Sequence, residues 1–295
     1  MMRIGLFLAT NLAVLFVINL IVSLLGLNHP DMNLTPLIIM AGVMGMAGSF
    51  ISLMTSKSMA KRSSGAVTIE SPANAQQAWL LETVRNQADR AGIGHPEVAI
   101  FDSPAPNAFA TGANKNASLV AVSTGLMESM NEDEIEAVLA HEVSHISNGD
   151  MVTLSLIQGV VNTFVIVFSQ LISAALDRRG SRSYNSRGYG YGRGIGYRFT
   201  YMLTQTVLGF LATVIVRWFS RWREYRADAG GAELAGREKM ISALQKLQML
   251  QEPAQLPAQM QAMGINGGLL GALGLKKLTM THPPLEERIK ALESA

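Results

Sequence analysis

His141-Glu142-Val143-Ser144-His145 lies inside a stretch, Glu132 to Ser147, that reads as one helix. Asn131 is a natural N-cap, with Glu134 three residues on as its capping-box partner. Acidic residues crowd the first turn, where they suit the helix dipole. Residues four apart share a helix face, so His141 and His145 present both imidazoles to one tetrahedral zinc ion. Glu142 then lies beside the metal, placed to take a proton from the attacking water. The competing reading is a capped surface helix with two incidental histidines. It is disfavoured because the chain holds only five His in 295 residues.

A hydrolytic zinc keeps three protein ligands and one open position. The chain has no Cys, which removes thiolate ligands, disulfides and a thiol nucleophile together. No third histidine follows the pentad at metal-binding spacing, so the third ligand is expected to be a carboxylate from elsewhere. Glu224-Tyr225-Arg226-Ala227-Asp228 is the best candidate. Glu224 and Asp228 face the same way on a helix. Glu224 would bind the metal while Asp228 accepts a bond from a ligand histidine and fixes its tautomer. Two alternatives stay open. One is an exposed Glu224 among Arg217, Arg221, Arg223 and Arg226. The other is Asp150, which is near the pentad in sequence but expected to point past the helix end.

Hydrophobic residues make up 48% of the chain and charged residues 16%, well under the roughly 25% charge of ordinary soluble domains. The apolar excess sits in blocks. Ile4 to Leu27 and Leu34 to Met54 are uncharged and long enough to cross a bilayer core as helices. Gly42, Gly45 and Gly48 would allow close helix packing in the second. Arg3 precedes this hairpin and Lys57, Lys61 and Arg62 follow it, which puts both outer ends in the cytoplasm. A cleaved signal peptide fits less well, because the apolar run is too long and no small-residue cleavage site follows. Met151 to Leu176 and Phe199 to Val216 form a later pair, the last being the weakest. Between them lies an Arg-, Gly-, Ser- and Tyr-rich loop, residues 177–198, read as a low-complexity linker that touches anionic lipid rather than a nucleic-acid arm. Its basic charge runs against the positive-inside bias. A re-entrant or surface-lying pair therefore remains an alternative to two spans. The net charge of +2 gives no case for nucleic acid.

Elsewhere the periodicity predicts a helix over Ala75 to Ala91, with Trp79, Leu80, Val84 and Ala88 on one side. Short strands are predicted at Val98 to Phe101 and Leu119 to Ser123, with an irregular or edge stretch from Pro104 to Gly112 between them. Helices are predicted over Glu224 to Ala235 and Glu238 to Leu250, and a Gly- and Leu-rich loop over Gly264 to Gly274. The expected organisation is a transmembrane hairpin (1–56), a first part of a zinc peptidase domain (57–150), a second transmembrane pair (151–216) and the rest of the peptidase domain (217–295). His29 and His95 are read as structural or incidental.

Asn107-Ala-Phe-Ala-Thr-Gly112, the pentad, Asn148-Gly-Asp150, Glu224-Tyr-Arg-Ala-Asp228 and Thr281-His-Pro-Pro284 together resemble the bacterial HtpX membrane proteases, gluzincins related to the CaaX prenyl endopeptidases. The resemblance covers essentially the whole chain. With the four apolar blocks read as transmembrane helices, the expected fold is an α-helical membrane protein with an α+β gluzincin-type metallopeptidase domain. The resemblance implies one Zn2+ per chain on His141, His145 and Glu224, and Glu142 as the base. It also implies an edge strand near Asn107, Ala108, Phe109 and Ala110 that pairs with substrate backbone. His282 would lie near the developing oxyanion, with Arg288 supporting it. The implied substrates are misfolded or unassembled membrane proteins and unfolded polypeptides, cut at the cytoplasmic face of a bacterial inner membrane in protein quality control and stress response. An intramembrane site fits poorly, because Glu132, Asp133, Glu134, Glu136 and Asp150 surround the pentad and acids in lipid are costly.

Overall fold

The computed structural model describes residues 13, 16, 17, 20, 23, 35–180, 195–251 and 280–295. The first predicted span, the core of the Arg/Gly-rich loop and the Gly264 to Gly274 stretch fall largely or wholly outside these. In chain order the elements are α1 (Thr35–Ser64), β1 (Val67–Thr68), α2 (Ala75–Arg90), β2 (Glu97–Phe101), β3 (Ala108–Thr111), β4 (Leu119–Ser123), α3 (Thr124–Ser129), α4 (Glu132–Asn148), α5 (Asp150–Gly180), α6 (Ile195–Ala235), α7 (Arg237–Gln251) and α8 (Leu285–Ser294). Two compact units result, Met1–Ile51 with Ser155–Val216, and Ser52–Leu154 with Arg217–Ala295.

In the first unit α1 and α5 pack closely because small residues meet. A side chain on Gly45 would strike Thr163, and one on Gly159 would strike Met46. Gly48 has open space instead, so Gly45 rather than Gly48 is the glycine this contact requires. Ser155 adds a hydrogen bond from its Oγ to the Ser49 carbonyl, 3.2 Å. Three helices among the described residues are long and apolar enough to cross a membrane, within Ile38–Ser64, Asp150–Ser173 and Tyr197–Ala235. The remaining expected span, Ile4 to Leu27, lies largely on residues outside the description, so the count of four does not carry over. Helices α5 and α6 also extend into both ends of the expected 177–198 loop.

The second unit is built on a mixed sheet of order β1-β2-β4-β3. β4 is parallel to β2 and antiparallel to β3. All five residues of β4 are buried, as expected of a central strand. Alternation sorts its side chains: Val120 and Val122 face a large core, whereas Leu119 and Ala121 join Ala99 and Phe101 in a small cluster. The large core is filled by Leu80, Val84 and Ala88 from α2, Leu126 from α3, Ile135, Leu139 and Val143 from α4, Met240 and Leu244 from α7, and Ile289 and Leu292 from α8. Leu80, Leu139 and Leu244 are essentially inaccessible, each worth about 1.5–3 kcal/mol relative to exposure. Trp79, expected on the buried side of α2, is only partly covered.

The pentad helix α4 is pinned at both ends. Asn131 Oδ1 accepts from the Glu134 backbone N–H at 2.9 Å, and Glu134 Oε2 accepts from the Asn131 N–H at 3.1 Å. At the other end Gly149 adopts φ +71, and its N–H closes the helix on the His145 and Ile146 carbonyls. Glycine takes this left-handed conformation without steric cost. The chain therefore reverses at once, and α5 begins at Asp150.

Candidate metal centre

Helices α4 and α6 face each other through their two i, i+4 pairs. His141 Nε2 lies 3.6 Å from Glu224 Oε2, and His145 Nε2 lies 3.4 Å from Glu224 Oε1. One donor atom from each of the three residues falls within 4.8 Å of the others, and all three side chains are buried. The far ring nitrogens are held by acids. His141 Nδ1 is 3.0 Å from Asp228 Oδ1, and His145 Nδ1 is 2.7 Å from Asp150 Oδ2. These bonds aim both Nε2 atoms at the shared centre.

The donor set suits a metal ion. Two imidazoles and a carboxylate are the nitrogen and oxygen ligands zinc accepts, in a chain without thiolates. Glu224 is 1% exposed, and its Oε1 is buried without a well-formed hydrogen bond among the described residues, its nearest cationic neighbours being His145 Nε2 at 3.4 Å and Arg223 Nη2 at 3.9 Å. A buried carboxylate of this kind costs about 1–3 kcal/mol or more unless a cation answers it; protonated His141 and His145 do so in the metal-free protein, and a metal ion held by the same atoms would take their place.

Asp150 does not point past the helix end, as expected from sequence. The Gly149 reversal swings it back beneath His145, where it is 2% exposed. Glycine also sets the helix spacing. A side chain on Gly230 would meet Ser144 Oγ, and one on Gly231 would meet the His141 backbone. Two glycines in a helix interior each cost roughly 1 kcal/mol relative to Ala, so a close approach is the physical reason for them. Gly230→Val should push α6 off α4 and weaken metal binding by about tenfold or more. Competition with a chromophoric chelator would read this, and unchanged affinity would mean that the approach is not needed.

His282 and Arg288 also reach the centre. His282 is 63% exposed, yet its Nδ1 lies 2.8 Å from Glu224 Oε2. Arg288, on α8, forks onto Asp228 through Nε at 2.7 Å and Nη2 at 2.5 Å, with Nη1 3.7 Å from Glu224. No Arg288–His282 bond occurs. The arginine instead braces the acid that orients His141.

A cavity of about 480 Å³ opens at the centre, bordered by His141, Glu142, Glu224, His282, Arg288, Asn107 and Ala108. Glu142 is half-buried there. Among the described residues no hydrogen bond or ion pair holds its carboxylate. β3 is the free edge of the sheet among the described residues. The Ser123 N–H donates to the Asn107 carbonyl, so the alternating ladder turns the backbone groups of Ala108 and Ala110 away from β4. The Phe109 ring packs at a 40° tilt against Phe101, centroids 5.5 Å apart.

Burial opposes protonation of His145, but the bonds to Asp150 and Glu224 outweigh it and raise the imidazole to about 9. His141 is likewise raised: burial opposes, and the Asp228 and Glu224 bonds prevail. In the metal-free protein this stabilises the fold fully below the unfolded histidine value near 6.5, and the contribution is lost as pH rises through about 9. A metal must displace these protons. Apparent metal affinity should therefore climb with pH up to about 9, roughly tenfold per unit for each proton released. A chelator titration over pH 6 to 9, about the range in which unperturbed and raised imidazoles lose their protons, would read this. A flat profile would contradict it.

The family model of peptidase family M48 matches residues 74–295. Protease HtpX of Thioalkalivibrio sulfidiphilus (strain HL-EbGR7) is 56% identical over 300 residues, covering 100% of this chain and 99% of that protein. Protease HtpX homolog of Nitrosomonas europaea is 53% identical over 301 residues, covering 100% of both. The crystal structure of S. mikatae Ste24p superposes with a TM-score of 0.60 at 20% identity, covering 98% of this chain and 64% of that longer one, a likeness of fold alone.

Proposed function

The chain belongs to peptidase family M48, a membrane metallopeptidase, and we propose that it is a zinc-dependent endopeptidase acting at the cytoplasmic face of a bacterial inner membrane. Its proposed substrates are unfolded polypeptides and misfolded or unassembled membrane proteins. The observation that carries this reading is the convergence of His141 Nε2, His145 Nε2 and the Glu224 carboxylate beside an unbonded Glu142, in a cavity that also reaches a free strand edge.

In this reading His141, His145 and Glu224 hold one zinc ion, and when bound it supplies the Lewis acidity that activates water and polarises the scissile carbonyl. The chain's own residues do the rest. Substrate adds a strand along β3, using the outward backbone groups of Ala108 and Ala110, with Asn107 at the mouth of the cavity. That fixes the scissile bond in register. Glu142 takes the proton from the attacking water and later gives it to the leaving amine. His282, reaching in from the exposed wall, donates to the oxygen that gains charge. Asp228 and Asp150 keep the imidazoles in one tautomer, and Arg288 holds Asp228 in place.

The orientation is tested by cysteines, which meet no native background. Asn33→Cys should react with an impermeant thiol reagent in intact cells, whereas Ser71→Cys and Ser294→Cys should react only after permeabilisation. Ser186→Cys decides whether the later helices cross: reaction in intact cells means two crossings. Opposite sides for Ser71 and Ser294 would contradict the whole arrangement, since both flank one metal centre.

A further inference from the structure

Beyond the metal centre, α6 carries a second patterned surface. Trp218, Trp222 and Arg226 recur every four residues and so share one helix face. Trp218 is 63% exposed and Trp222 49%. The Arg226 guanidinium lies over the Trp222 ring, 5.1 Å from its centroid, and donates through Nη2 to Asn148 Oδ1 at 3.1 Å. Beside Arg226 is a separate cavity of about 500 Å³, also walled by Arg90, Ser147, Asn148 and Ser144. None of His141, Glu142, His145 or Glu224 borders it. Among the described residues Glu233 is the one acid on its wall, and Arg90 caps the backbone carbonyls of Glu233 and Leu234.

Two exposed indoles in one stripe are poorly suited to water and well suited to the headgroup level of a bilayer. The same unbroken helix contains the candidate span, whose Leu203, Val207, Leu211 and Ile215 are exposed apolar residues. Along α6 the order is therefore apolar side chains, then indoles, then a guanidinium, which is the order of acyl chain, interface and phosphate. Arg226 uses one donor on Asn148 and has others to offer.

We propose that Trp218, Trp222 and Arg226 form a binding site for an anionic phospholipid of the bilayer, with the indoles at the interface and the headgroup phosphate on Arg226 at the mouth of the second cavity. The site backs onto Ser144, one residue from the end of the histidine pair, and is separate from peptide hydrolysis.

The test uses the full chain in vesicles, with Trp79 changed to Phe so that only the two indoles of the site, Trp218 and Trp222, fluoresce. Brominated acyl chains are supplied on either phosphatidylglycerol or phosphatidylcholine at equal mole fraction. The brominated anionic lipid should be enriched at these two indoles by about fivefold over the zwitterionic one. Arg226→Gln should erase that preference and keep the quenching by phosphatidylcholine. Equal quenching by the two lipids with Arg226 intact, or no quenching by either, would overturn the proposal. So would a preference that survives in Arg226→Gln. A preference abolished by soluble glycerol 3-phosphate would overturn it too, because the site would then be one for free phosphate. None of these readouts depends on peptidase activity.

Discussion

Glu142→Gln is expected to lower peptide hydrolysis by about 10²–10⁴-fold while the protein keeps its metal. The amide has nearly the shape of the carboxylate but accepts no proton. Glu142 is half-buried at the cavity wall, and no described hydrogen bond depends on it, so the exchange should leave the fold and the three donors undisturbed. Two measurements on one preparation decide it, metal content by mass spectrometry and cleavage of an unfolded polypeptide. A metal-loaded Gln variant that cleaves at a near-normal rate would remove Glu142 from the base role. A variant that loses its metal would make Glu142 a ligand.

The second large effect separates three acids. Glu224→Ala should abolish stoichiometric metal binding, because it removes one of the three donors that converge within 4.8 Å. Asp150→Ala should weaken binding by only about 10–100-fold, the cost of losing the acid that orients a ligand histidine. Asp228→Ala should fall in the same range through His141, although Arg288 would then lose its bidentate partner and fold stability would drop as well. Glu224→Gln, which keeps the volume of the side chain, controls for collapse of the buried site. The ordering Glu224 above Asp150 and Asp228 is what matters. Full metal occupancy in Glu224→Ala at ordinary affinity would move the third ligand elsewhere.

Much of this arrangement was legible in the sequence because it is written in local periods. Asn131 and Glu134 announce the start of α4, and the i, i+4 spacing of both His141/His145 and Glu224/Asp228 announces two facing donor pairs. The bilayer helices were legible from missing charge. What was not legible depends on the path of the chain. Asp150 was assigned outward because nothing local says that Gly149 turns the backbone back under His145. Nothing local says either that α8 docks on α7 and so delivers Arg288 to Asp228. The stretch from Glu224 was read as a helix starting near the metal, but α6 is one helix from Ile195 to Ala235. Gly230 and Gly231 gave a usable signal, two helix-interior glycines, whose reason appears only when Ser144 and His141 are seen across from them. Strand β1, only Val67–Thr68, is too short for alternation to reveal.

The central claim is that one metal ion sits on His141, His145 and Glu224. It is tested most directly by a crystal structure of the full chain grown with zinc, using anomalous scattering at the zinc edge to locate the ion. The expected result is one zinc with two histidine nitrogens and one Glu224 oxygen at about 2.0–2.2 Å, Glu142 outside bonding distance, and one position open. Coordination by Asp150 or Glu142 in place of Glu224, or a site closed by four protein ligands, would contradict it.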